Sequence, residues 1–94
     1  MNRLAPKWTV ELPRKVGKQR AELPEEQETI FKALLDDLRF SGPVQGAWPN
    51  YSKLGKNEHH CHLSPKWVAC WLVVDKKIRV LRVYYVGSRK DAPY

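Results

Sequence analysis

The sequence predicts a small α+β domain, with elements in the order β-α-α-β-β-β, and three observations carry that expectation. Two apolar runs, Trp67–Val74 and Ile78–Val86, flank the polar turn Asp75-Lys76-Lys77. Both runs are rich in β-branched and aromatic residues, so the pair reads as an antiparallel hairpin. Upstream, Ile30, Phe31, Leu34, Leu35 and Leu38 recur at helical spacing and form an apolar stripe that can lie on a sheet.

The elements follow in chain order. Lys7–Leu12 alternates polar and apolar, with Trp8, Val10 and Leu12 on one face, and reads as a short half-buried strand ended by Pro13. Arg14–Leu23 fits a short helix with Leu12, Val16, Arg20 and Leu23 on one stripe. Arg14, Lys15, Lys18 and Arg20 form its wet, basic side, and Gly17 weakens it by about 1 kcal/mol relative to Ala. The second helix starts at Pro24, where Glu25, Glu26 and Glu28 complement the positive end of the helix dipole. Gly42-Pro43 stops it. The prolines and glycines of residues 42–57 exclude a regular element there, and Trp48, Tyr51 and Leu54 are large enough to pack this loop down as a cover. His59–Leu63 is a short strand, and Ser64-Pro65-Lys66 turns the chain into Trp67.

The 94 residues form one domain, 1–94, and 43% hydrophobic content supports a modest core. The net charge is +7, unevenly spread. Glu22, Glu25, Glu26, Glu28, Asp36 and Asp37 cluster around the second helix. From Lys53 onward the basic residues are Lys53, Lys56, Lys66, Lys76, Lys77, Arg79, Arg82, Arg89 and Lys90, opposed by Glu58, Asp75 and Asp91 alone. Cations interleaved with aromatics suit a polyanionic partner. The sequence has no secretory signal and no apolar stretch long enough to span a bilayer, so a cytoplasmic protein with no membrane partner is expected. Cys61 and Cys70 lack C-x-x-C spacing and read as small buried hydrophobes.

Alternation assigns the faces. With Lys76-Lys77 as a two-residue turn, Trp71 stands opposite Arg82 and Ala69 opposite Tyr84. The face joining Val68, Cys70, Leu72 and Val74 to Leu81, Val83 and Tyr85 is then the one the helices cover, with Ile30, Leu34 and Leu38 on Leu72, Leu81 and Val83. The Trp71/Arg82/Tyr84 face stays open. There Arg82 is either a cation–π partner of Trp71 or a phosphate-binding arginine. With Cys61 and Leu63 in the core, His60 and His62 lie on the open face near Trp67, and a one-residue slip reverses this. His59, His60, Cys61 and His62 alternate in direction, so no more than two can chelate one ion, and no second Cys/His cluster completes a tetrahedral site. The chain has no Walker-type glycine loop and no G-x-S-x-G motif.

The element order with its basic sheet, and three segments of the chain, resemble the RelE/ParE superfamily of bacterial toxins, with the nearest local match to its YafQ-like branch. The branch pattern P-[LV]-x-G-x-W is matched by Pro43-Val44-Gln45-Gly46-Ala47-Trp48, and C-H-[IL]-x-P-x-W by Cys61-His62-Leu63-Ser64-Pro65-Lys66-Trp67. The tail Gly87-Ser88-Arg89-Lys90-Asp91-Ala92-Pro93-Tyr94 is similar to the family's closing G-x-[RH] segment with its terminal aromatic. The chain departs from the branch at Gly42 and Arg89, where the branch has histidines, and at Lys66, where it has an acid. Arg89 and Tyr94 match the RelE branch itself.

The resemblance implies a toxin of a type II toxin–antitoxin pair, a translation inhibitor held inactive by a cognate antitoxin protein. It implies a metal-independent, cofactor-free endoribonuclease that cuts mRNA in the ribosomal A site by attack of the neighbouring 2′-hydroxyl. The catalytic candidates are His62 as acid or base, Arg89 as a clamp on the phosphate and Tyr94 as a proton donor or stacking group. Lys53, His60, Lys66, Arg82 and Lys90 are the RNA-binding candidates. The alternative is a non-catalytic member, either a ParE-like gyrase-directed toxin or a degenerate toxin that only binds its antitoxin.

Overall fold

A computed structural model describes residues 5–94. The expected order holds: strand β1 (Thr9–Glu11), helices α1 (Arg14–Ala21) and α2 (Glu25–Ser41), then strands β3 (Glu58–Ser64), β4 (Trp67–Asp75) and β5 (Val80–Ser88). A two-residue strand, β2 (Ser52–Lys53), lies inside the segment expected to be irregular, and a 3-10 turn (Arg89–Asp91) follows β5. The sheet has five strands in the order β1-β5-β4-β3-β2. The strand β1 runs parallel to β5, and the other pairings are antiparallel.

Helix α2 begins directly after Pro24, has Glu25, Glu26 and Glu28 in its first turn, and ends at Gly42. Gly42 has φ 88°, and its N–H donates to the Leu38 carbonyl. A Cβ there would lie 2.7 Å from Nε1 of Trp8, so both the backbone angle and the close approach require glycine. Phe31, Leu34, Leu35 and Leu38 are buried from α2, joined by Val16 and Leu23. They pack on Cys61, Leu63, Ala69, Trp71, Leu81, Val83 and Val86 from the sheet, while Trp8, Val10 and Leu12 close one side. Arg20 is not part of a free basic face. It forms a bidentate pair with Glu28 at 2.7 and 2.9 Å and lies over the Phe31 ring at 5.5 Å.

The hairpin corrects the expected faces. Asp75 pairs with Val80, so the turn includes Ile78 and Arg79. Asp75 Oδ1 accepts the N–H groups of Lys77 and Ile78, and Arg79 takes φ 56°. The longer turn shifts the register: Trp71 pairs with Val83 and Leu72 with Arg82. A one-residue slip exchanges the two faces of a strand. Trp67, Ala69, Trp71 and Val73 therefore face the helices, and Leu72 does not. A bulge between Cys70 and Trp71 leaves Tyr84 as the extra residue of β5.

The loop between α2 and β2 is the structured cover expected of it. Trp48 Nε1 donates to Asp37 Oδ2 at 2.8 Å, Gln45 Nε2 to the carbonyls of Gly42 and Asp37, and Trp71 Nε1 to the Pro43 carbonyl at 3.0 Å. Tyr51, His59 and Trp71 form a stack, with the His59 and Trp71 rings 6.0 Å apart and 5° from parallel. The Tyr51 hydroxyl lies 2.7 Å from His59 Nδ1.

Two stability tests follow from this packing. Leu34 is 0% exposed, so Leu34→Ala should cost about 2–5 kcal/mol in urea unfolding. Leu72→Ala, half-buried on the other face, should cost markedly less. The second concerns acid. Burial, and then the charge of Lys53, hold His59 below its ordinary value of 6.5. Its contribution is fully present above pH 6.5 and is lost as pH falls toward and through the depressed value, because the unfolded chain takes up the proton first. The urea midpoint should stay level from neutral pH down to about 6.5 and then fall as the depressed value is approached. His59→Phe should flatten the fall measurably, and an unchanged slope would show that His59 is not a source of it.

Candidate functional site

Alternation along β3 sends Cys61 and Leu63 into the core and sets His60 and His62 on the opposite face, as the sequence led us to expect. Their rings are 5.8 Å apart in an edge arrangement. His60 is buried, with Ser52 Oγ 3.1 Å from its Nδ1 and the Tyr94 ring 4.5 Å from its own. Trp67, expected nearby, packs instead against the helix-side core.

The C-terminal tail reaches this face through local hydrogen bonds. Ser88 Oγ accepts the Asp91 N–H and donates to the Asp91 carboxylate, which closes the 3-10 turn. The Arg89 N–H donates to the Lys66 carbonyl at 2.8 Å, and so ties the start of the tail to the β3–β4 turn. On the other side the His62 N–H donates to the Pro49 carbonyl at 2.8 Å. Between them lies a pocket of about 280 Å³ lined by Pro49, Asn50, His62, Ser64, Pro65 and Arg89. Asn50 adopts φ 53°, a left-handed conformation that asparagine tolerates well.

The electrostatics separate the roles. Burial, then His60, then Arg89 lower the pKa of His62, so its imidazole is predominantly neutral at neutral pH. Burial is the main cause that raises the pKa of Tyr94, which keeps its phenol protonated. The site therefore holds a free base, a permanent cation and a protonated hydroxyl at one end of the sheet.

The other candidates divide. Lys66 and Lys90 are exposed and line a common cleft with Arg89. Lys53 is exposed on β2 opposite His59, one position from the Ser52–His60 pair. Arg82 stands apart. It pairs across the sheet with Leu72, which pairs with Glu58, whereas His62 pairs with Val68 and Val68 with Gly87. Five positions along β5 are roughly 16 Å. Arg82 is held there by Glu11 of β1 at 2.8 Å, in place of the expected contact with Trp71. Ser52, Asn50 and Ser64 were not singled out from sequence. Ser52 owes its place to a two-residue strand too short to leave a periodic signal.

Both cysteines are buried and free, and burial pushes each thiol up to about 12, which leaves them protonated and inert. Among the described residues no helix is long and apolar enough to cross a membrane.

No family model and no curated protein matches the chain. Solved structures do. A chain of the archaeal RelE–RelB complex from Pyrococcus horikoshii OT3 is 16% identical with a TM-score of 0.72, covering 92% of this chain and 99% of that one. A chain of the E. coli DinJ–YafQ toxin–antitoxin complex is 16% identical with a TM-score of 0.66, covering 94% and 99%. A chain of the YoeB–YefM complex from Staphylococcus aureus is 9% identical with a TM-score of 0.66, covering 85% and 94%. At these identities the likeness is one of architecture, and it spans nearly the whole of both chains: the protein has the RelE-like fold.

Proposed function

We propose that this chain is the toxin of a type II toxin–antitoxin pair and acts as a metal-independent endoribonuclease on ribosome-bound mRNA. The observation that carries the reading is that His62 and Arg89 line one pocket next to a cationic cleft, with Tyr94 against the neighbouring His60. Cleavage by RNA's own 2′-hydroxyl needs a base for that proton, charge stabilisation on the phosphorane and a proton for the leaving 5′-oxygen. The neutral imidazole of His62 takes the 2′-hydroxyl proton. Arg89, charged at any relevant pH, clamps the non-bridging oxygens. The Tyr94 phenol, whose ordinary value of 10 is raised further and which is therefore protonated around neutral pH, supplies a proton to the leaving oxygen. His60, beneath the Tyr94 ring, positions it.

The proposed partner is an antitoxin with an acidic segment. Arg14, Lys15 and Lys18 are exposed on α1 and suit it, whereas Arg20 is already engaged by Glu28. The product of the neighbouring reading frame should co-purify with this chain, and charge reversal at those three positions should weaken its capture.

The decisive assay is cutting of ribosome-bound mRNA in a purified translation mixture. Wild-type protein should cut, and His62→Ala should lose about 10²–10⁴-fold. Because the pKa of His62 is depressed, the rate should be level around neutral pH and decline only in acid, below the ordinary value of 6.5. Arg89→Gln removes a phosphate clamp and also one influence that lowers the His62 pKa. It should reduce the rate and move the acid limb to higher pH. No cutting by the wild type, or full activity in His62→Ala, would exclude this mechanism.

A further inference from the structure

Next to the His62 pocket lies a second, larger cleft of about 480 Å³, lined by Pro65, Lys66, Trp67, Ser88, Arg89 and Lys90. The two share Pro65 and Arg89 in their linings, so they are adjoining compartments. Among the described residues Lys66, Arg89 and Lys90 take part in no ion pair, and no acid lines the cleft. Trp67 is half-buried and forms the apolar wall. Its other side borders a different cleft, lined by Glu22 and Asp91 with no lysine or arginine. The indole therefore separates a cationic compartment from an acidic one. Three uncompensated cations beside one aromatic are what a nucleotide requires: charge for its phosphate and a surface for its base.

We infer that this cleft is a subsite for a nucleotide flanking the scissile phosphate, with its base against Trp67 and its own phosphate between Lys66 and Lys90. The inference rests on the nucleolytic reading of the His62 pocket for the identity of the strand. The Ser88 hydroxyl is engaged by the Asp91 carboxylate and stays a structural cap. Arg89 serves both compartments, which fixes the spacing of consecutive phosphates and orients the strand across the end of the sheet.

The test is binding, so that it does not depend on cleavage. The probe is a short fluorescein-labelled 2′-O-methyl oligouridylate, which has no free 2′-hydroxyl to attack, read by anisotropy over a salt series. Lys66→Ala/Lys90→Ala should weaken binding and lower the slope of log Kobs against log salt by about 0.7 for each lost phosphate contact. Trp67→Leu should weaken binding about tenfold, with Trp67→Phe largely restoring it. Because Trp67 also touches the core, the double lysine variant, at exposed positions, decides the outcome if Trp67→Leu is poorly folded. His62→Ala should abolish cutting yet retain binding, so failure of the subsite and failure of the catalytic assignment give different results. Unchanged affinity and salt slope in the double lysine variant would overturn the inference. So would displacement of the probe by polyglutamate at equal charge with no response to Trp67→Leu, which would assign the cleft to an acidic peptide.

Discussion

The architecture of the site depends on one side chain, Trp71. It is the largest fully buried residue, it sits on the middle strand of the sheet, and its indole N–H is satisfied by the Pro43 carbonyl at 3.0 Å. A buried indole N–H without an acceptor is costly, so this bond holds the start of the loop down on the sheet. The same ring stacks on His59 and Tyr51, which holds the end of the loop. Between these two anchors the chain presents the Pro49 carbonyl to the His62 N–H, and Pro49 and Asn50 form one wall of the pocket. Core packing on one face of the sheet thus positions a histidine on the other.

The two faces of the sheet are covered by different means. Helices bury the Trp71 side. On the His60 side, Val68 and Cys70 are also fully buried although they lie outside the helix-packed core. The C-terminal tail comes to this face, with Tyr94 against His60, the partner of Cys70 in the β3–β4 ladder. The tail has no apolar stripe of its own. It is held by the Ser88–Asp91 cap and by the Arg89 N–H bond to Lys66, both at the site end. Catalytic candidates and structural cover are therefore the same few residues. Replacing Tyr94 would change the burial of His60 as well as remove a hydroxyl.

Much of this was legible from residue order alone. Helix α2 announced itself through its apolar stripe and its Pro24 and Gly42 boundaries, and the alternation of β3 placed Cys61 and Leu63 inward with His60 and His62 opposite. The faces of β4 were not legible, because both are apolar and period-two alternation distinguishes two faces without saying which is covered. The outcome hinged on the turn. Asp75 captures two backbone N–H groups and draws Ile78 out of the strand, a local bond with no signature in hydrophobic patterning. The resulting slip buried Trp71 and paired Arg82 with Leu72 at the far end of the hairpin. The place of Arg89 was legible as a motif, but its closeness to His62 depends on the Lys66 carbonyl, a tertiary contact.

The departures from the YafQ-like pattern have a physical reading. At Gly42 a histidine is excluded by structure: φ is 88° and Trp8 occupies the space a Cβ would need. The other departures change charge. An acid in place of Lys66 would raise the pKa of a nearby imidazole. Arg89 instead lowers it, together with burial and His60. On the proposed reading, the chain has exchanged a set of titrating side chains for one neutral histidine held beside fixed positive charge. Such a site favours a base at His62 and leaves protonation of the leaving group to a group that does not titrate near neutrality, the role proposed for Tyr94.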